Sequence, residues 1–458
     1  MNKYSSAEDT IIALATAPGV GAIAVIRLSG KEAFSIAAKM FRGKDPQSQP
    51  SHTLHFGTIR DGKRIIDEVV LSLFKGPKSF TKEDVVEISC HGSQYIVKEI
   101  IQLSLKHGAR LARPGEFTMR AFMNGQFDLA QAEAVADLIN ADSDAAHSAA
   151  LSQMRGGFSK EIDDLRTELI NFASLIELEL DFSEEDVEFA QREELRALVE
   201  KLYTVISKLL KSFDYGNVIK KGIPTVIAGK PNAGKSTLLN ALLNEEKAIV
   251  SDIPGTTRDF IEDEMVIEGV SFRFIDTAGI RETIDKIEAM GVAKTHEKMG
   301  QASLILYLFD LSTDSISDVL QEVNRLENLG KPFIAVGNKI DIAPEDKVET
   351  LRKNDHFVFI SAGKLENIDD LKDKISEKVH LDNFKTGDTM VTNARHYEAL
   401  LRTQTALQEV LRGLDLQVTN DFLAMDIRQA LHHLGEITGQ ITTDDLLGNI
   451  FSKFCIGK

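Results

Sequence analysis

The sequence predicts an α/β module with a mostly parallel sheet, inserted into an all-α helical domain and preceded by an α+β N-terminal domain. Three observations carry that expectation. Between about Gly222 and Val379, short apolar strands alternate with helix-forming stretches, the pattern of a parallel sheet covered by helices. Apolar residues recur at helical spacing on both sides of that region. Before it stand Leu165, Leu169, Phe172 and Ile176, then Leu195, Leu198, Leu202, Val205 and Leu209. After it stand Tyr397, Leu400, Leu407 and Leu411, then Leu423, Ile427, Leu431 and Leu434. The N-terminal segment instead mixes β-rich runs (Ala22–Leu28, Glu68–Phe74, Asp84–Ser89) with turns and a helix over Ser93–His107. The expected domains are residues 1–118, a discontinuous helical domain of 119–215 plus 381–458, and the α/β module at 216–380. Two separate helical domains would give the same pattern.

The chain has 458 residues, a formal net charge of −17 and a pI near 5.2. That balance argues against a general polyanion binder, because nucleic-acid affinity rests on neutralising phosphates. It leaves room for a local basic patch, for which Lys106, Arg110, Arg113 and Arg120 are candidates; a solvated face is the other reading. There is no apolar run long enough for a membrane span. The first residues lack a basic stretch followed by an apolar one and a cleavage site, so no secretory signal is expected. Only Cys90 and Cys455 are present, which is no disulfide framework, and a cytoplasmic location is expected. Gly19 and Gly21 imitate a dinucleotide-binding turn, but the third glycine is missing and a strand follows. His91 has no partners at ligand spacing, so no zinc site is read there.

The chemistry concentrates in the α/β module. The strand at Pro224–Gly229 runs into Gly229-Lys-Pro-Asn-Ala-Gly234-Lys235-Ser236 and then into the helix-forming TLLNALLN. This is a phosphate-binding P-loop in its required context of strand, loop and helix. Its glycines let several N–H groups face one anion, and the helix N-terminus adds partial positive charge. Lys235 can reach the β- and γ-phosphates, and the Ser236 hydroxyl can ligate Mg²⁺. A second strand, Val270–Ile275, ends in Asp276-Thr277-Ala278-Gly279. Asp276 suits a magnesium held through water, and the Gly279 N–H can sense the γ-phosphate. Leu304–Phe309 and Pro332–Val336 read as further core strands, the latter leading to Asn338-Lys339-Ile340-Asp341. The Asp341 carboxylate can accept two hydrogen bonds from guanine, a donor pair that adenine lacks. Val358–Ile360 leads to Ser361 and Ala362, whose backbone can touch the base. Four motifs in this order, each ending an apolar strand, resemble the translation-factor type of GTPase and identify an α/β P-loop G domain.

The position after the DTAG motif is Ile280, which cannot orient water. The switch-like segment Ser251-Asp252-Ile253-Pro254-Gly255-Thr256-Thr257-Arg258-Asp259 supplies other candidates. One threonine, Thr257, can ligate Mg²⁺. Asn232 offers an amide oxygen that, with carbonyls of residues 251–256, can hold a monovalent cation where an arginine would otherwise act; it can equally be a residue chosen for the turn.

GKPNAGKSTLLN, IPGTTRD, DTAGIRE, NKID and the terminal FCIGK together resemble the tRNA modification GTPase family known as MnmE or TrmE. The likeness extends over essentially the whole chain and includes APGVGAIAVIRLSG, VVEISCHG and RPGEFTMRAFMNGQFDLAQAEAV. It implies a potassium-stimulated GTPase whose two G domains meet face to face. By position, Asn232, Ser251, Ile253 and Thr256 would bind K⁺, and Ser236 and Thr257 Mg²⁺. GTP would be held by Asn232, Ala233, Gly234, Lys235, Ser236 and Thr237, by residues 251–257, by residues 276–279, and by Asn338, Lys339, Asp341, Ser361 and Ala362. Glu288 matches a water-orienting glutamate, and Arg258 and Asp259 match residues tied to switch movement.

The resemblance also implies that the N-terminal domain binds a tetrahydrofolate derivative (5-formyl- or 5,10-methylene-tetrahydrofolate) and forms a homodimer. Arg27, Glu87, Gln126 and Lys458 occupy the folate positions, Gln126 standing where the family carries a lysine. Cys455 matches a C-terminal cysteine, either a nucleophile or proton donor or an inert end. The activity implied is addition of a carboxymethylaminomethyl or aminomethyl group to C5 of the wobble uridine of tRNA. The flavin-containing partner MnmG (GidA) would take part, with the nitrogen from glycine or ammonium. GTP turnover would drive association and dissociation of the G domains. The other reading is an RNA-binding assembly switch without group transfer, or a purely structural switch.

Overall fold

The structure, a computed structural model, describes residues 9–181, 192–247, 263–275, 302–379 and 390–457. Its contacts divide the chain into two units: residues 1–139, 151–207 and 398–458, and residues 140–150 with 208–397. The first unit is therefore interrupted by the second, as an inserted module requires. Among the described residues, no helix is long and apolar enough to cross a membrane.

The first unit holds a seven-stranded sheet. Its strands are β1 (Ile11–Leu14), β2 (Gly21–Ser29), β3 (Phe41–Arg42), β4 (Thr53–Asp61), β5 (Arg64–Phe74), β6 (Val85–Gly92) and β7 (Arg110–Leu111), in the order β3-β4-β5-β6-β2-β1-β7. Alternation decides which side is core. Ala24, Ile26, Leu28, Val69, Leu71, Leu73, Val86, Ile88 and Cys90 pack in one buried cluster with residues of the helices Ala33–Met40 and Gln94–Lys106. The alternate residues face the other way. Leu54, Ser72, Glu87 and Arg27 form one cross-strand row on that second face, and Phe56, Val70, Ser89 and Val25 form the next. Near β1 this face is covered by Phe117, packed with Ala13 and Phe80. Toward β4 it stays open: Leu54 is 70% and Phe56 69% exposed. The helical part of the same unit includes Gly157–Asp181 and Asn420–Thr438, which pack against each other. Their apolar stripes are those read from the sequence: Leu165, Leu169 and Ile176, with Leu423, Ile427 and Leu434, are all buried.

The second unit is built on β8 (Ile223–Ala228), β9 (Asp263–Ile267), β10 (Val270–Phe274), β11 (Leu304–Asp310), β12 (Phe333–Asn338) and β13 (Phe357–Phe359), in the order β13-β12-β11-β8-β10-β9. All neighbours are parallel except β9, an antiparallel edge strand. Every residue of β11 and β12 is buried. Strands covered by helices on both faces read as unbroken apolar runs, which is how LILYLF and PFIAV stood out.

One group contradicts its sequence reading. Arg120 is neither part of a basic surface patch nor on a solvated face: it is 6% exposed. Its guanidinium meets Asp9 at 2.6 Å, Glu83 at 3.2 Å and the buried Glu116 at 3.4 Å. Arg110 pairs with Asp9 and Glu116, Lys106 with Asp61, and the Arg113 N–H donates to Glu116. Net charge alone could not reveal this, because the acidic partners lie up to 111 residues away in sequence. Burial pushes the Glu116 carboxyl upward, but hydrogen bonds from Arg110 and the Arg113 N–H outweigh it and hold the group below its usual value. Asp9 is lowered too: burial is outweighed by Arg110 and Arg120.

Arg120→Met should therefore leave buried carboxylates uncompensated and destabilise the first unit by about 3–5 kcal/mol, read by chemical denaturation at pH 7. Because the folded pKa values of Asp9 and Glu116 are lowered, this stabilisation is complete above the ordinary carboxylate range and disappears as pH falls through the folded values. The difference between parent and variant should shrink on acidification; a constant difference would refute the charge network.

Candidate nucleotide site and N-terminal sheet face

The P-loop leaves β8 and enters the helix Lys235–Lys247 at its first residue. Two glycines are dictated by their neighbours. At Gly229 (φ +152) a Cβ would overlap the Leu308 carbonyl of the adjoining strand, and at Gly234 (φ +99) it would overlap the Asn338 amide nitrogen. Asn232 adopts φ +62 and is exposed. Asparagine tolerates this left-handed conformation better than most residues, so the turn accounts for its type while its amide stays available. Lys235 donates from Nζ to the Gly229 carbonyl at 2.9 Å and the Lys230 carbonyl at 3.0 Å, which holds the loop curled around its ammonium. Burial pulls the Lys235 ammonium below its usual pKa. Such a charge gains strongly when an anion arrives. Ser236 follows in the first helical turn, Ala233 is buried and Thr237 is exposed.

Asn338, only 3% exposed, joins three segments. Its Nδ2 donates to the Ala233 carbonyl of the P-loop at 2.8 Å. Its Oδ1 accepts from the Lys339 N–H at 2.9 Å and from the Ala362 N–H at 3.0 Å. The phosphate loop, the NKID turn and the Ser361–Ala362 turn are thereby fixed together at the carboxyl ends of β8, β12 and β13, where ligands bind in open α/β sheets. Lys339 stands at φ +67 and donates from Nζ to Asp310 Oδ2 at 2.6 Å. Burial of Asp310 is outweighed by hydrogen bonds from Lys339 and Ser312, and its pKa falls to about 2. Asp341 meets Lys364 Nζ at 3.2 Å. A hydrogen bond from the Ser361 side chain, then Lys364, holds its carboxyl below the usual range. Asp310 and Lys364 were not singled out in the sequence, although an aspartate closing the apolar run LILYLF was a usable signal.

Ser251–Asp259, Asp276–Gly279, Ile280, Glu288 and Lys458 lie outside the described residues.

The first unit brings other predicted residues together. Arg27 and Glu87 are direct partners across β2 and β6 and form an ion pair at 2.8 Å, each about a quarter exposed. The Arg27 guanidinium lies 5.3 Å from the Phe80 ring centre and 5.7 Å from that of Phe117. His91, further along the same face, is held by Asp67 at 2.7 Å. Gln126 is exposed in the turn after Glu116–Met123. The C-terminal segment returns to this sheet. The Gly115 N–H donates to the Cys455 carbonyl at 3.3 Å, and Gly457 lies where a Cβ would overlap the Leu14 carbonyl of β1. Cys455 is exposed, while Cys90 is buried and its thiol is pushed up to about 11 by desolvation.

Family models described as the MnmE helical domain and the GTP-binding protein TrmE N-terminus match residues 129–455 and 10–126. A protein of Cytophaga hutchinsonii described as tRNA modification GTPase MnmE is 63% identical, covering 98% of both chains. Proteins of the same description from Christiangramia forsetii and Bacteroides fragilis are 54% and 51% identical, covering 98% of this chain and 99% and 100% of theirs.

Asn338→Ala should unpair three backbone groups at once, those of Ala233 and Ala362 buried and that of Lys339 half-buried. At about 1 kcal/mol or more for each, labelled-GTP titration should find affinity at least about tenfold weaker. Parent-like affinity would refute the joint.

Proposed function

The chain belongs to the MnmE (TrmE) family of tRNA modification GTPases, and from that premise we propose that it hydrolyses GTP in tRNA wobble-uridine C5 modification. The observation that supports this reading is the junction at Asn338, whose side-chain amide bonds both the phosphate loop at Ala233 and the Ser361–Ala362 turn at Ala362. Amides of Asn232–Thr237 and the Lys235 ammonium receive the phosphates. Asp341 accepts from guanine's two donors, steadied by Ser361 and Lys364, and the Ala362 backbone flanks the base.

The donors at the loop suit hard cations. Ser236 would hold Mg²⁺ together with Thr257. The exposed amide of Asn232 would hold K⁺ with Ser251, Ile253 and Thr256; the cation supplies positive charge against the developing phosphate charge. Glu288 would orient the attacking water, and Arg258 and Asp259 would move with the switch. In this reading residues 216–380 are the GTPase domain, 1–118 the folate-binding and dimerising domain, and 119–215 with 381–458 the helical domain.

The N-terminal sheet fits a tetrahydrofolate derivative by its donor set. Glu87 can accept from the N–H edge of a pterin, Arg27 orients Glu87, and the half-buried Phe80 provides an aromatic surface. The cofactor, when bound, supplies a one-carbon unit. The exposed apolar residues Leu54 and Phe56 lie on the same face, and such residues favour a partner surface; a second copy of the chain is the partner proposed. The segment Cys455–Gly457 packs near β1, which supports a role for Cys455, and for Lys458 that follows it in sequence, beside the cofactor. A flavin-containing protein, MnmG, would complete the reaction on tRNA in the cytoplasm.

GTP turnover by the purified chain should be about 10- to 100-fold faster in K⁺ than in Na⁺; equal rates would remove the cation from the reading. Asp341→Asn presents a donor to guanine's donors. GTP affinity should fall about a hundredfold while a xanthine nucleotide gains; unchanged purine preference in competition binding would overturn the base contact.

A further inference from the structure

The turn Ser79–Glu83 packs against the turn that follows Met123. Asn124 Nδ2 donates to the Thr81 carbonyl at 2.6 Å, and Lys82 Nζ donates to the Gly125 carbonyl at 2.6 Å. Phe80, between them, meets the Phe127 ring edge-on at 5.9 Å and lies beneath the Arg27 guanidinium. Contacts therefore run from Glu87 through Arg27 to Phe80, and the turn that carries Phe80 also carries Lys82: a carboxylate at one end, an aromatic ring between, an ammonium beyond it.

Lys82 is itself unusual. Its backbone stands at φ +57, a left-handed conformation that glycine adopts freely and a lysine does not. The backbone alone gives no reason for a long cationic side chain there. The ammonium has three donors, of which the Gly125 carbonyl takes one, and among the described residues no carboxylate pairs with it. Its neighbour across the turn, Gln126, is exposed and carries no charge.

We propose that Lys82 binds a carboxylate of the glutamyl tail of the folate, so that this part of the site draws its positive charge from residue 82 and not from residue 126. The inference rests on the folate reading above. A reduced folate has the same order of polarity as the series of side chains: an N–H-rich pterin for Glu87, an aromatic middle for Phe80, and carboxylates for Lys82. The spare N–H donors of an anchored ammonium make a charge-assisted bond to such a group.

The test uses the full chain and two ligands, 5-formyltetrahydrofolate and the matching 5-formyltetrahydropteroate, which lacks the glutamyl moiety. Lys82→Gly relieves the backbone and removes the charge. It should weaken the glutamyl-bearing ligand about tenfold and leave the shorter one unchanged. Adding Gln126→Lys to that variant should restore the loss. Equal weakening of both ligands would reduce Lys82 to a support for the turn, and no weakening of either would also overturn the proposal. Saturable binding of neither ligand by the unsubstituted chain would instead sink the folate reading on which it stands.

Discussion

A single buried amide, that of Asn338, holds the nucleotide half of this protein in register. The parallel sheet brings the ends of β8, β12 and β13 to one edge, but a shared edge does not by itself fix three loops against one another. Asn338 does so by satisfying the Ala233 carbonyl and the Lys339 and Ala362 N–H groups. An unsatisfied buried backbone group costs about 1–3 kcal/mol, so no other arrangement of the three turns competes unless it replaces all of these bonds. Gly234 follows from the same constraint, since a side chain there would occupy the space of the Asn338 amide. Asp310 adds a second brace, fixing Lys339 in its left-handed turn and thereby aiming Asp341.

The N-terminal sheet solves a different problem. One of its faces is committed to a core with two helices, and the other remains open over β4. Antiparallel sheets tolerate one solvated face when it is polar; here Leu54 and Phe56 are apolar and exposed. Arg27 and Glu87 stand in the same cross-strand row as Leu54. Whatever covers the apolar end of that row therefore also bears on the ion pair. In the proposed reading, cofactor binding and association of two copies would be properties of one surface.

Much of this was legible because local pattern and global fold agree. The strands around Val226, Leu306 and Val336 are mostly apolar, being buried on both faces, and those around Val226 and Val336 each end in a motif with its own chemistry. The helical stripes through Leu169 and Ile427 were visible because 3.6-residue periodicity survives in any helix that packs along its length. What stayed hidden depends on contacts distant in sequence. Arg120 looked like surface charge because nothing near it in the chain announces Asp9 and Glu83. Asn232 illustrates a different limit: one residue type satisfies both a left-handed turn and a cation, so its presence could not distinguish them. Lys82 drew no notice because its strain is a backbone angle, which composition does not encode.

The two carboxylates assigned to ligand recognition share a design. Asp341 pairs with Lys364, and Glu87 with Arg27. A partly exposed ion pair contributes about 0–1 kcal/mol, so neither cation binds its carboxylate tightly enough to exclude a ligand. A ligand with two adjacent N–H donors can add to such a pair without displacing it, because a carboxylate has about four acceptor positions. A ligand that presents an acceptor there gains nothing and loses its own water. In the proposed reading, selection for an N–H-rich heterocycle, guanine at one site and a pterin at the other, would follow from the same arrangement: a carboxylate held by a weakly bound cation with acceptor positions to spare.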